Sequence, residues 1–123
     1  MTTHPLPDAA LSLALPDDAD SSAAVSRAHL ERLLNRVAEY LRGSERNLAR
    51  RYERVVAADD GDVHLTDEAF WARVGDALRY DDAETAAVRR AHEATLLLAG
   101  DQQGRRAEFE SALDIRSAVV LDR

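Results

Sequence analysis

Between Leu30 and Val56 the apolar residues fall at Leu30, Leu33, Leu34, Val37, Leu41, Leu48, Tyr52, Val55 and Val56. Steps of three and four place them on one stripe of a helix, unlike the two-residue alternation of a half-buried strand. Ser44 fills the slot between Leu41 and Leu48, with Gly43 before it. Gly43-Ser44 therefore reads as either a kink in one long helix or a joint between two. A mid-helix Gly costs about 1 kcal/mol relative to Ala, which packing can offset. A continuous helix over 22–58 would run on the order of 55 Å. Ser21 or Ser22 is the expected N-cap.

The flanking segments extend the helical pattern. Residues 1–20 form an arm interrupted by Pro5, Pro7 and Pro16, with Leu6, Leu11, Leu13 and Leu15 giving it an apolar side that docks on something. Leu11, Leu13 and Leu15 suit a short strand or a single helical turn. Asp59-Asp60-Gly61-Asp62 is turn chemistry, and Val63-His64-Leu65 is a candidate extended segment. Thr66 is read as the cap of a short helix carrying Phe70, Trp71, Val74, Ala77 and Leu78. Asp81 with Glu84 three residues on has the layout of a capping box, and Gly100 is the expected C′ residue of that next helix. A last amphipathic stretch carries Phe109, Ala112, Leu113, Val119 and Val120, and its end, Ala118–Leu121, is apolar enough for a short strand instead. The pattern predicts an all-α protein: a four- to five-helix bundle over residues 21–123 as one helical domain, preceded by the arm 1–20.

An internal echo adds a finer expectation. Residues 20–34 read DSSAAVSRAHLERLL and residues 83–97 read AETAAVRRAHEATLL. Ala23, Ala24, Val25, Arg27, Ala28, His29, Leu33 and Leu34 recur at a shift of 63. A true duplication would give two pseudo-repeated helical hairpins, but Ala and Leu matches arise easily in a chain this rich in both.

Composition narrows the function. All 16 basic residues are arginine, against 23 acids, and the net charge is -7. Guanidinium is planar and pairs bidentately with carboxylates, and an acidic, lysine-free surface suits a GC-rich genome and a salt-loving organism. With no cysteine there is no disulfide frame, thiolate nucleophile or Cys-based metal site. The early apolar run Ala9–Leu15 is too short to span a bilayer and lacks a signal peptide's basic start, so no membrane partner and a cytoplasmic location are expected.

No motif announces a reaction. His4, His29, His64 and His92 include no pair at i,i+4 and no His-Glu-x-x-His. A pseudo-symmetric arrangement would bring His29 and His92 together; two boundary histidines are the plainer reading. The acidic residues Asp59, Asp60, Asp62, Asp67 and Glu68 lack the EF-hand frame. No metal, cofactor or catalytic residue is therefore expected. The distinctive cluster is Arg42, Arg46, Arg50 and Arg54 at i,i+4, with Arg51 beside them. Segment 27–54 carries a net +4 and segment 55–88 a net -7. The arginines are expected to pair with that acidic segment, within the chain or across a homo-oligomer, or with another protein. The chain is thus expected to be a non-enzymatic interaction or structural module. The alternative is a nucleic-acid-associated regulator using the same arginines on phosphate.

Overall fold

The computed structural model describes residues 4–15, 25–57 and 61–122. Helix α1, Asp8–Ala14, opens the fold, with Ala10, Leu11 and Ala14 buried. Helix α2, Arg27–Leu41, follows, and its N-cap is Ser26, whose side chain accepts the His29 backbone N–H. The expected caps Ser21 and Ser22 lie outside the described residues. Leu30, Leu33, Leu34, Val37 and Leu41 form the buried stripe that the spacing predicts. Each such side chain contributes on the order of 1.5–3 kcal/mol relative to exposure.

The helix does not run on to residue 58. Gly43 takes a φ of 91°, a left-handed conformation that favours glycine, and the chain restarts as α3, Glu45–Arg51. It then becomes strand β1, Glu53–Ala57, paired antiparallel with β2, Gly61–Thr66. Helices α4, Phe70–Leu78, α5, Asp82–Gln103, and α6, Arg106–Leu113, come next. Strand β3, Ser117–Asp122, closes the chain antiparallel to β2, giving a sheet of order β1-β2-β3.

The expected all-α, four- to five-helix bundle is thus corrected to a helical protein built on a three-stranded antiparallel sheet. The physical reason lies in burial. Val63, Leu65, Ala118 and Val120 are buried, and so are His64, Thr66, Ser117 and Val119, whose side chains point to the opposite face. A strand covered on both faces shows no alternation and is indistinguishable by period from a stretch of buried helix. β-Branched pairs at Val55-Val56 and Val119-Val120 were the available signal. The paired helical hairpins are corrected too: each half runs long helix, turn through a positive-φ glycine (Gly43, Gly104), short helix, strand.

Caps show what was local. Asp81 and Glu84 form the reciprocal capping box, at 2.8 and 2.9 Å. Thr66 caps no helix; its hydroxyl donates to the Asp67 carbonyl, and α4 starts after Ala69. Gly100 lies inside α5, where a Cβ would meet Phe109 Cδ2 at 2.8 Å, and Gly104 is the left-handed cap.

The arm's described part docks on its own chain. Leu11 is fully buried, the Arg90 guanidinium donates to the Ala14 carbonyl at 2.9 Å, and Arg27 reaches Ser12 Oγ at 3.0 Å. The outer edge of β3 is also closed. Trp71 Nε1 donates to the Ala118 carbonyl at 2.9 Å, and the Val120 N–H donates to His92 Nδ1 at 2.9 Å. Two side chains thereby satisfy backbone groups that an unpaired edge would offer to another chain.

Candidate interaction surface

The five candidate arginines do not share one helix. Arg42 is the C-cap of α2, Arg46, Arg50 and Arg51 belong to α3, and Arg54 lies on β1. The turn at Gly43 and the exit from helix at Tyr52 leave only Arg46 and Arg50 at i,i+4 within one element. Arg54 faces Asp62 across the hairpin at 3.6 Å. Among the described residues, Arg42, Arg46, Arg50 and Arg51 have no carboxylate within 4.0 Å, although all four are exposed. Helix α3 has no buried residue at all.

Elsewhere arginines and acids meet. Arg73 holds Asp67 through two hydrogen bonds of 2.8 and 2.9 Å, and Arg105 reaches Glu108 at 2.7 Å. Arg106 bridges Asp101 and Glu110, both at 2.7 Å. Among the described residues, Arg42, Arg46, Arg50 and Arg51 are thus a run of exposed arginines without a carboxylate partner, as Arg32, Arg36 and Arg79 are singly.

A groove of about 300 Å³ opens beside them, between α2, α3 and α4. Tyr40, Leu41, Leu48, Tyr52, Phe70 and Val74 supply its apolar walls, and Ser44, Arg51 and Arg73 its polar rim. Tyr52 and Phe70 meet edge to face with ring centroids 5.8 Å apart. The Tyr52 hydroxyl donates to Asp67 Oδ1 at 2.8 Å, and Arg73 reaches the same hydroxyl at 3.3 Å. Arg73 first and Tyr52 second hold the Asp67 carboxyl well below the usual carboxylate range. Burial raises the Tyr52 hydroxyl, and the adjacent Asp67 carboxylate adds to it. The polar groups of this wall are thus bonded to one another. What remains for a partner is the apolar floor, the exposed Tyr40 ring and the Arg51 guanidinium, which sits 5.6 Å from the Tyr52 ring centre.

In the sequence Tyr52 falls on the helical stripe, Asp67 is one of the acids without an EF-hand frame, and Arg73 stands in no motif. Asp67 and Arg73 meet locally across the start of α4, whereas the approach of Tyr52 depends on the β1-β2 hairpin.

The histidines are dispersed. His29 Nε2 lies 2.9 Å from Glu84 on the surface, so it does not meet His92. His92 is buried against Trp71, with ring centroids 4.4 Å apart, and burial, helped by His4, pushes its pKa down to about 3. His4 accepts the Leu6 N–H on Nδ1 at 3.2 Å and approaches Glu31 at 3.4 Å; burial lowers its pKa more than Glu31 raises it. His64 is buried on β2 and its pKa is lowered by that burial. Asp59 and Asp60 of the acidic loop lie outside the described residues. Among the described residues no group of three or more His, Asp or Glu is placed to hold a metal ion, and no helix is long and apolar enough to cross a membrane.

No curated protein and no solved structure matches the chain. A family model does match, over residues 14–123, which is most of the chain and includes the sheet, α2 to α6 and the groove. The chain belongs to that family, described as a domain of unknown function (DUF8048).

Proposed function

We propose that this chain is a cytoplasmic protein-interaction module that acts by binding rather than catalysis, through the α2–α3 corner and the adjoining groove. One observation carries the reading: four exposed arginines that follow one another from the end of α2 through α3 and, among the described residues, have no carboxylate partner, in a chain of net charge -7. Free guanidinium groups in that setting attract an acidic surface, and the groove adds apolar area that salt does not screen. The second point matters in an organism of high internal salt, the habitat that the lysine-free composition supports. The histidines support binding over catalysis, since His4 and His92 spend ring nitrogens on backbone N–H groups.

A nucleic-acid partner fits less well. Base edges are read by free donors and acceptors, and the polar wall of this groove is bonded to itself. Among the described residues only Tyr40 offers an exposed ring for stacking beside the arginines.

The test is titration at low salt with polyglutamate and with single- and double-stranded oligonucleotides. Wild-type protein is expected to bind polyglutamate, and the double change Arg46→Glu and Arg50→Glu to abolish it. No binding of polyglutamate would sink the reading. Tighter binding of oligonucleotide than of polyglutamate would transfer the surface to a nucleic-acid regulator.

A further inference from the structure

Exposed apolar side chains are few. Among the described residues the large ones are Leu13 at 60 %, Tyr40 at 48 % and Ile115 at 71 % exposure. Tyr40 belongs to the groove. Ile115 stands on the turn between α6 and β3, and that turn is fixed. The Asp114 N–H donates to the Ser111 carbonyl at 3.2 Å, the Arg116 N–H to the Ala112 carbonyl at 2.9 Å, and the Arg116 guanidinium to the Leu65 carbonyl at 3.1 Å. A rigid turn thus holds an isoleucine in water, where it gains nothing from burial. Its neighbour Asp114 is exposed and forms no ion pair among the described residues.

The groove offers the converse features. It has about 300 Å³ of space, aliphatic and aromatic side chains in its walls, and on its rim Arg51, which has no carboxylate within 4.0 Å among the described residues. Knob and groove also share one end of the sheet. Glu53 lies opposite Leu65, and Thr66 opposite Ser117, so the chain enters β1 from Tyr52 and β3 from Ile115 at the same end. Two copies facing each other at that end can exchange both contacts about a two-fold axis.

We propose that the groove's occupant is a second copy of this chain: Ile115 enters the groove between Tyr40 and Phe70, and Asp114 pairs with Arg51. This rests on the reading of the α2–α3 corner as an interaction surface. Charge and apolar complementarity select the occupant. Leu13 is the poorer knob, because Asp8, the acid on its helix, is already held by Arg27 at 3.2 Å. A buried apolar anchor ringed by a charge pair is the usual energetic centre of such a contact.

Sedimentation equilibrium at low ionic strength tests it. Wild-type chain is expected to dimerise with a Kd below roughly 1 mM, the weak end of specific association. Ile115→Ser removes the knob, and Ser44→Trp fills the groove; each alone is expected to weaken the dimer at least about tenfold, an affinity change of one decade. Tyr40→Ser, at an exposed ring without a hydrogen bond, serves as the groove variant if Ser44→Trp melts early by circular dichroism. Mixing the knob variant with the groove variant is expected to give a one-to-one complex weaker than the wild-type dimer but tighter than either variant alone, since one of the two knob–groove contacts is then intact. A dimer that survives either change, or a mixture that associates no more tightly than either variant alone, overturns the proposal. Wild-type chain that remains monomeric while binding polyglutamate overturns self-docking alone and assigns the surface to a different protein. Failure of both measurements removes the interaction surface itself.

Discussion

His92 should make the fold lose stability in mild acid, well before the carboxylates titrate. Its ring is fully buried against Trp71, and Nδ1 accepts the Val120 N–H at 2.9 Å. A proton on Nδ1 would remove that acceptor and place a charge in the core. Burial of that charge first, and the nearby His4 second, put the folded pKa at about 3, against 6.5 for the exposed ring. Between those two values the unfolded chain binds more protons than the folded one. Stability from this group is then full above about pH 6.5 and falls as pH drops toward 3. At pH 5 the loss is about 2 kcal/mol, and by pH 3 it reaches about 4 kcal/mol, at 1.36 kcal/mol per pKa unit. His4 and His64, also lowered by burial, act with the same sign in the same window. Asp67 and Glu108 have lowered pKa values, so their stabilising contributions hold above about pH 4–5 and fade below it.

His92→Asn isolates the imidazole. Asn Oδ1 occupies nearly the place of His Nδ1 and can accept the Val120 N–H, but it does not titrate. The variant gives up ring packing and starts about 1–3 kcal/mol less stable at pH 7, the usual cost of a smaller core side chain. The informative quantity is the change between pH 7 and pH 5, read from urea unfolding with linear extrapolation. Wild type is expected to lose about 2 kcal/mol more than the variant over that interval. Equal losses would refute the reasoning, because the buried neutral imidazole would then contribute nothing to acid sensitivity.

Other perturbations probe the joints of the fold. Arg79 caps α4 at a φ of 61° and makes no ion pair among the described residues, so Arg79→Gly should relieve left-handed strain and raise stability by about 0.5–1 kcal/mol, seen as a higher thermal midpoint. Gly100→Ala places a Cβ 2.8 Å from Phe109 and 3.0 Å from the Arg106 backbone, and should cost about 1–3 kcal/mol despite alanine's better helix propensity. Trp71→Phe leaves the Ala118 carbonyl without its donor in a buried position and should cost about 2–4 kcal/mol by chemical denaturation followed by circular dichroism. A change under about 0.5 kcal/mol in either of the last two would show that the site relaxes freely.

What the sequence disclosed follows the distance over which each feature is decided. The Asp81-Glu84 box is settled within four residues, and it formed as read. The stripe from Leu30 to Leu41 is settled by one helix burying one face, and it formed as well. The pattern misled beyond Gly43 because Leu48, Tyr52, Val55 and Val56 keep a helical spacing while serving a helix, the cap that ends it and a strand. Val56 is buried in a strand, Tyr52 turns its hydroxyl to Asp67, and Leu48 lines a groove from a helix with no buried residue. Apolar spacing records which residues leave water and is blind to which partner removes them. The same holds for charge. Arg73 and Arg51 look alike in the sequence, yet one is locked into a bidentate pair with Asp67 and the other has no carboxylate within 4.0 Å among the described residues. The start of α4 sets Arg73 on Asp67 six residues before it, and the β1-β2 hairpin adds the Tyr52 hydroxyl to that pair, so this guanidinium is spent on the fold.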